Sequence, residues 1–254
     1  MTAMHYHVWH RTTYHYSRPM HDGYTVAYLL PRPTPHQVVE RAEVEVDPEP
    51  DERSERIDVF GNRVLQVGVH HSHDTLTLHA ESDVVVEPAG EPAPGPTWEE
   101  TATAVRHLRG GEALSVRPFV GSSPYVPLEE HGAPLRALAE DAFAPGRDVV
   151  AGALRTLGLA ARYVSGYIET DPPPGRPRLI GADASHAWCS VWVPEQGWID
   201  FDPTNDRLPV HRHVVVAWGR DYGDVAPARG VVIGPSARQT LTVAVDVERV
   251  ASPV

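Results

Sequence analysis

The sequence predicts an α+β protein: an N-terminal β-sandwich-like domain, then a second domain in which a mostly antiparallel sheet packs on a reduced helical layer. Three observations carry this. Residues 4–87 are dominated by period-2 alternation, residues 89–100 are crowded with Pro and Gly, and helical periodicity is confined to short stretches before strand patterns return at Arg162.

Taken in order, Tyr6, Val8, Tyr14 and Tyr16 alternate with His5, His7 and His15, as half-buried strands do. Ala42-Glu43-Val44-Glu45-Val46 sets apolar against acidic residues, the pattern of an antiparallel strand with one wet face. Phe60 to Arg63 reads as a turn, alternation resumes over 64–69 and 75–78, and Ser82 to Glu87 closes a β-rich domain spanning 1–88. Pro31, Pro33, Pro35, Pro48 and Pro50 keep to the connections, because proline lacks the N–H that a ladder needs. The Pro-rich run 89–100 predicts a linker, and 101–254 a core domain. In that core Leu135, Leu138 and Phe143 mark one helical face, and a helix over 148–157 stops at Gly158. Strands are expected at 162–168, 186–193, 198–201 and 214–218, with a closing alternation at 240–247.

Composition excludes several function classes. A net charge of −12, with every cation an Arg, lacks the basic stripe of a nucleic-acid binder. No apolar run is long enough to span a membrane, and the N-terminus shows no basic segment followed by an apolar one, so a cytoplasmic location is expected. One cysteine, Cys189, permits neither an internal disulfide nor a Cys-based zinc cluster. No phosphate loop or dinucleotide fingerprint occurs, so no cofactor is expected. Oligomeric state is not legible.

The segment richest in chemistry is Ser185-His186-Ala187-Trp188, then Val191-Trp192-Val193-Pro194, then Gly197-Trp198-Ile199-Asp200-Phe201-Asp202-Pro203-Thr204-Asn205. It reads as a hairpin whose first strand carries His186 and whose second ends at Asp202. Such a hairpin brings the carboxylate to the imidazole, where it fixes the tautomer and stabilises the imidazolium. The alternative is an ordinary His and Asp on neighbouring strands. Among the 15 histidines, His71 with His73 and His211 with His213 share strand faces and could chelate zinc; solvent-facing strand histidines are the plainer reading, and no metal is expected. Gly219-Arg220-Asp221-Tyr222 either lines a substrate groove or forms structural pairs, and the polar segment at 181–183 shapes the loop entering the His186 strand. Trp188 and Trp198 pack the core or line an acyl pocket.

The hairpin resembles the His/Asp half of the transglutaminase-like superfamily, which includes bacterial cysteine-protease-like members: His-Ala-Trp, a strand, Gly-Trp, then Asp-Pro-Thr. The run ALRTLGLAARYVSGYIETDPPPGRPRLIGADASHAW resembles the family's approach to its catalytic His, and HVVVAWGRDYGDVAPARGVVIG its C-terminal continuation. HRTTYHYSRP, LLPRPTPHQ and DVFGNRV resemble the β-rich region preceding the core in bacterial members. The resemblance implies a papain-like core. It also implies a Cys-His-Asp triad acting on peptide or glutamine amides through a thioester, with His186 as base and Asp202 as acid.

The chain departs from that pattern at the nucleophile. The family places its Cys at the start of the core helix, and a gapless reading puts Phe143 there; from Gly132 to Arg155 no Cys, Ser or Thr occurs. The resemblance therefore implies that several dozen residues are missing near Val150 and Ala151. Cys189 stands three positions after His186, an odd offset that sends it to the opposite face of a strand, and is expected in the core. Three readings remain open: a cysteine amidohydrolase or acyltransferase, a catalytically silent relative that binds a peptide or protein partner, and a truncated product.

Overall fold

The alternating residues of the N-terminal region fold into two facing sheets. The computed structural model describes residues 2–129, 147–170, 184–209 and 211–251. The first sheet has the order β12–β1–β6–β3, from β1 (Met4–Met20), β3 (Gln37–Asp47), β6 (His73–Val86) and β12 (Gln239–Val250). The second has the order β11–β2–β5–β4, from β2 (Asp22–Ala27), β4 (Glu52–Ile57), β5 (Arg63–Val69) and β11 (Ala228–Ile233). Their inner faces meet through Val44, Val46, Leu76, Leu78 and Ala80 on one side and Ala27, Leu65, Val67 and Val69 on the other. Each large aliphatic side chain buried this way contributes about 1.5–3 kcal/mol over its exposed state.

Two departures from expectation have physical causes. The alternation at 240–247 was expected in the core domain, yet β12 runs antiparallel beside β1, from Tyr16↔Gln239 to His5↔Val250. β11 similarly pairs with β2. Both strands cover edges that would otherwise present unpaired backbone groups. β4 was not anticipated because all six of its residues are exposed, which leaves no alternation to read.

The third sheet has the order β10–β7–β8–β9, from β7 (Ala161–Ile168), β8 (Ala184–Val193), β9 (Gly197–Phe201) and β10 (His213–Gly219). All eight residues of β7 are buried. Its edge strand β10 is closed by two amide side chains from the N-terminal region. Gln37 donates Nε2–H to Val215 O at 2.7 Å and accepts Val215 N–H at 2.8 Å. Asn62 donates to Trp218 O at 2.8 Å and accepts Trp218 N–H at 3.0 Å. Each amide presents the donor and acceptor that a neighbouring strand would supply.

Helices are few among the described residues. α1 (Trp98–His107) begins within the expected linker, because Thr97 and Glu100 form a capping box that satisfies orphan N–H groups at its start. α2 (Gly110–Val116) follows. α3 (Arg147–Thr156) matches the expected 148–157 helix and runs without interruption through Val150 and Ala151. Gly158 ends it at φ +84°, a conformation that only glycine adopts without strain. The helical face expected at 135–143 and the 181–183 segment lie outside the described residues. α4 (Tyr222–Val225) is a single turn. No helix among the described residues is long and apolar enough to cross a membrane.

Candidate active site

Strand parity decides which side chains share the site. On β8, His186, Trp188, Ser190 and Trp192 face one way, opposite Gly166, Val164 and Arg162 of β7 and beside Trp198 and Asp200 of β9. The turn between β8 and β9 places Glu195 at φ 65° and Gly197 at φ 77°, and the glycine takes this conformation freely. Gly166 is required for a different reason. A Cβ there would lie 2.1 Å from Val214 O and 2.6 Å from the Trp188 ring.

Just beyond β9, Asp202 turns back under the imidazole. Its backbone closes a bridge to Arg207, and its Oδ1 accepts the N–H groups of Thr204 at 3.0 Å and Asn205 at 3.2 Å. Oδ2 takes three N–H donors: His186 Nε2 at 2.6 Å, His213 Nε2 at 3.0 Å and Asn205 Nδ2 at 2.6 Å. Burial alone would raise the carboxyl, but the hydrogen bonds from His186, His213 and Asn205 outweigh it and hold the group well below the usual carboxylate range. An ionised carboxylate only accepts, so both imidazoles carry their proton on Nε2. For a neutral His186 ring, that leaves the Nδ1 lone pair to act as a base. Burial pushes His213 below its ordinary value, partly offset by Asp202, and its Nδ1 has no hydrogen-bond partner among the described residues.

His186 and Asp202 thus come together as the sequence implied. His213 and Asn205 were not anticipated as members of the site. His213 had been read with His211 as a solvent-facing strand histidine; instead it is buried at 6% exposure, because the β10–β7 register sets it opposite Ile168 at the His186 end of the sheet. Only sheet order supplies that information. His73 is likewise buried, its Nδ1 on His71 O, while His71 pairs with Asp51 at the surface. The donor atoms of His186, Asp202 and His213 lie within 4.8 Å of one another, a set that could hold a divalent ion. As folded, Oδ2 already receives three hydrogen bonds, so the cluster is a filled hydrogen-bond node.

The remaining sequence candidates are structural or peripheral. Arg220 pairs with Asp224 at 2.8 Å, and Asp221 caps α4 through Gly223 N–H and also accepts Tyr125 N–H. Trp188 donates Nε1–H to Asp200 at 2.9 Å. Cys189 is 0% exposed and packs with Val150, Ala151 and Ala161, so the thiol and α3 lie on the sheet face away from His186. Alkylation of the native protein near neutral pH is therefore expected to be slow, to accelerate only on unfolding, and to be unchanged in His186→Ala. Fast native labelling that the substitution abolishes would place the thiol at the site.

A sandwich feeding a four-stranded sheet with His186 and Asp202 at one end matches a known architecture. The family model for the bacterial transglutaminase-like N-terminal region matches residues 6–85, and that for the transglutaminase-like superfamily matches residues 147–203. The chain belongs to the transglutaminase-like superfamily, in the form that carries the bacterial N-terminal region. An uncharacterized protein of Mycobacterium tuberculosis is 35% identical over 288 residues, covering 95% of this chain and 92% of the relative. A 57-residue stretch is 42% identical to the protein-glutamine gamma-glutamyltransferase of Pseudomonas aeruginosa, covering 22% of this chain and 8% of that protein. A solved structure described as a candidate cysteine protease from Cytophaga hutchinsonii shares the fold at TM-score 0.70 and 18% identity, covering 100% of this chain and 93% of its own.

Proposed function

We propose that this chain is a peptide-binding member of its family in which amide turnover through a thioester is lost. The burial of its sole thiol on the sheet face opposite His186 carries this reading. The chemistry needs a thiolate beside the imidazole to attack the carbonyl, with the imidazole taking the thiol proton and Asp202 orienting the ring. Cys189 cannot approach Nδ1 without the strand reversing its pleat. The alignment with the mycobacterial relative spans 288 residues, 34 more than the 254 of this chain, which supports the loss of an internal segment.

A second reading, an amide hydrolase or acyltransferase acting on peptide or glutamine amides, draws support from the intact 2.6 Å bond between His186 and Asp202. Hydrolysis of a peptide amide, and amine incorporation into a glutamine-containing peptide, separate the two. Neither is expected to exceed the background rate, since removing a triad member typically costs several orders of magnitude. Turnover that both thiol alkylation and His186→Ala abolish would establish the second reading.

A further inference from the structure

The sheet face that presents His186 continues past Trp188 and His213 into a cavity of about 1570 Å³. Four residues along β8 from His186, about 13 Å at the rise of a strand, Ser190 stands in a cross-strand row between Arg162 and Asp200. Arg162 Nε, Ser190 Oγ and Asp200 Oδ1 are all buried without a hydrogen-bond partner among the described residues. Arg162, 6% exposed, lies 3.7 Å from the ring centre of Trp218 and 4.3 Å from that of Trp198. Arg32, 9% exposed, covers Trp218 at 3.3 Å, and its Nε is also unpartnered.

Both guanidinium groups line the cavity, as does Asp200. Asp200 approaches Arg162 only to 3.9 Å, too far for a hydrogen bond, and its other oxygen is held by Trp188. Burial pushes Arg162 down to about 9, with the neighbouring Arg32 adding to the effect, and Arg32 itself down to about 10. Arg32 Nη1 already donates to Phe60 O and Asn62 Oδ1, whereas the indole rings stacked on Arg162 accommodate its charge without supplying an acceptor. An anion in the cavity would supply one, and a carboxylate matches the planar guanidinium fork.

We propose that this cavity binds the C-terminal end of a peptide, the terminal carboxylate resting on Arg162 and the chain running along β8 toward His186. The inference names the substrate class of the same site and rests on the peptide-binding reading above. A span of about 13 Å takes three to four extended residues, and Trp188 and Trp198 provide apolar walls beside them.

Calorimetric titration of the full chain with an acetylated tetra-alanine peptide, as the free acid and as the C-terminal amide, tests this. The acid is expected to bind at least ten-fold more tightly. Arg162→Gln should remove that preference, whereas Arg53→Gln, an exposed cation of β4, should leave it intact. Should the buried variant fail to fold by thermal melt, the acid–amide comparison on the unaltered chain still decides. Equal binding of acid and amide, or a preference that survives Arg162→Gln, overturns the carboxylate subsite alone. Acetate binding as tightly as the peptide reduces the site to a bare anion site and overturns the peptide assignment. Binding of neither peptide overturns the peptide-binding reading itself. Amide turnover is read by its own assay and does not move these outcomes.

Discussion

Asp202→Ala is expected to destabilise the fold by about 3–5 kcal/mol, the cost of removing one partner from a buried charged cluster. The side chain is fully buried and accepts from His186, His213, Asn205 and two backbone N–H groups, all of which lose their acceptor together. Asp202→Asn preserves shape while removing the charge, and a smaller loss of about 1.5–3 kcal/mol is expected, the range for hydrogen bonds to charged groups. Urea midpoints at neutral pH measure both. The pH dependence supplies an independent check. The native carboxyl is held below its unfolded value, so at low pH the unfolded chain binds more protons and stability rises with pH. This contribution is complete above the ordinary carboxylate range near pH 4 and is lost as pH falls toward the native value. The stability gap between the native sequence and Asp202→Asn should therefore shrink below about pH 4. His10, lowered by burial to about 4, destabilises from about pH 6.5 downward in both proteins and cancels from that difference. His213 in Asp202→Asn loses the offset that Asp202 supplies, and so widens the gap as pH falls from about 6.5 before the carboxylate contribution is lost. A gap that is constant with pH would mean the carboxyl is not held as the geometry requires.

Gly166→Ala is the second large effect. The added Cβ would sit 2.1 Å from Val214 O, a backbone atom in the β7–β10 ladder, and 2.6 Å from Trp188, whose indole lies across the strand from it. A flexible side chain could retreat, but a carbonyl held in a sheet cannot without breaking pairing. A loss of about 3 kcal/mol or more is expected, the upper part of the overpacking range. Because Gly166 stands opposite His186, near-ultraviolet circular dichroism from Trp188 should change along with the thermal midpoint. A variant of unaltered stability would show that β7 and β10 are less tightly apposed than described.

Much of this architecture was legible in the residues. Alternation placed β1, β3 and β6 to within a few positions, because each has one face buried and one less so. Where that asymmetry vanishes the signal vanishes with it. The exposed β4 and the wholly buried β7 mark the two limits: the first left no pattern, and the second was read as a strand over 162–168 with no buried-to-exposed contrast to show its faces. α1 was hidden behind a Pro-rich prefix, although Thr97 and Glu100 carried its capping signal. The C-terminal strands were grouped with the core domain but pair with β1 and β2, since alternation says that a strand has two faces and not which edge it will join.

At the site, local sequence determined His186, Asp202 and the exclusion of Cys189, because a tight hairpin and the two-residue period of a strand fix which side chains can meet. Tertiary structure alone decided the rest. His213 reaches Asp202 through the β10–β7 register, Gln37 and Asn62 close β10 from the far end of the chain, and Arg32 joins Arg162 on the two Trp-lined strands. These contacts join residues 130 or more positions apart, or strands whose order no local pattern encodes. They form only once burying the shared apolar faces has brought the sheets together.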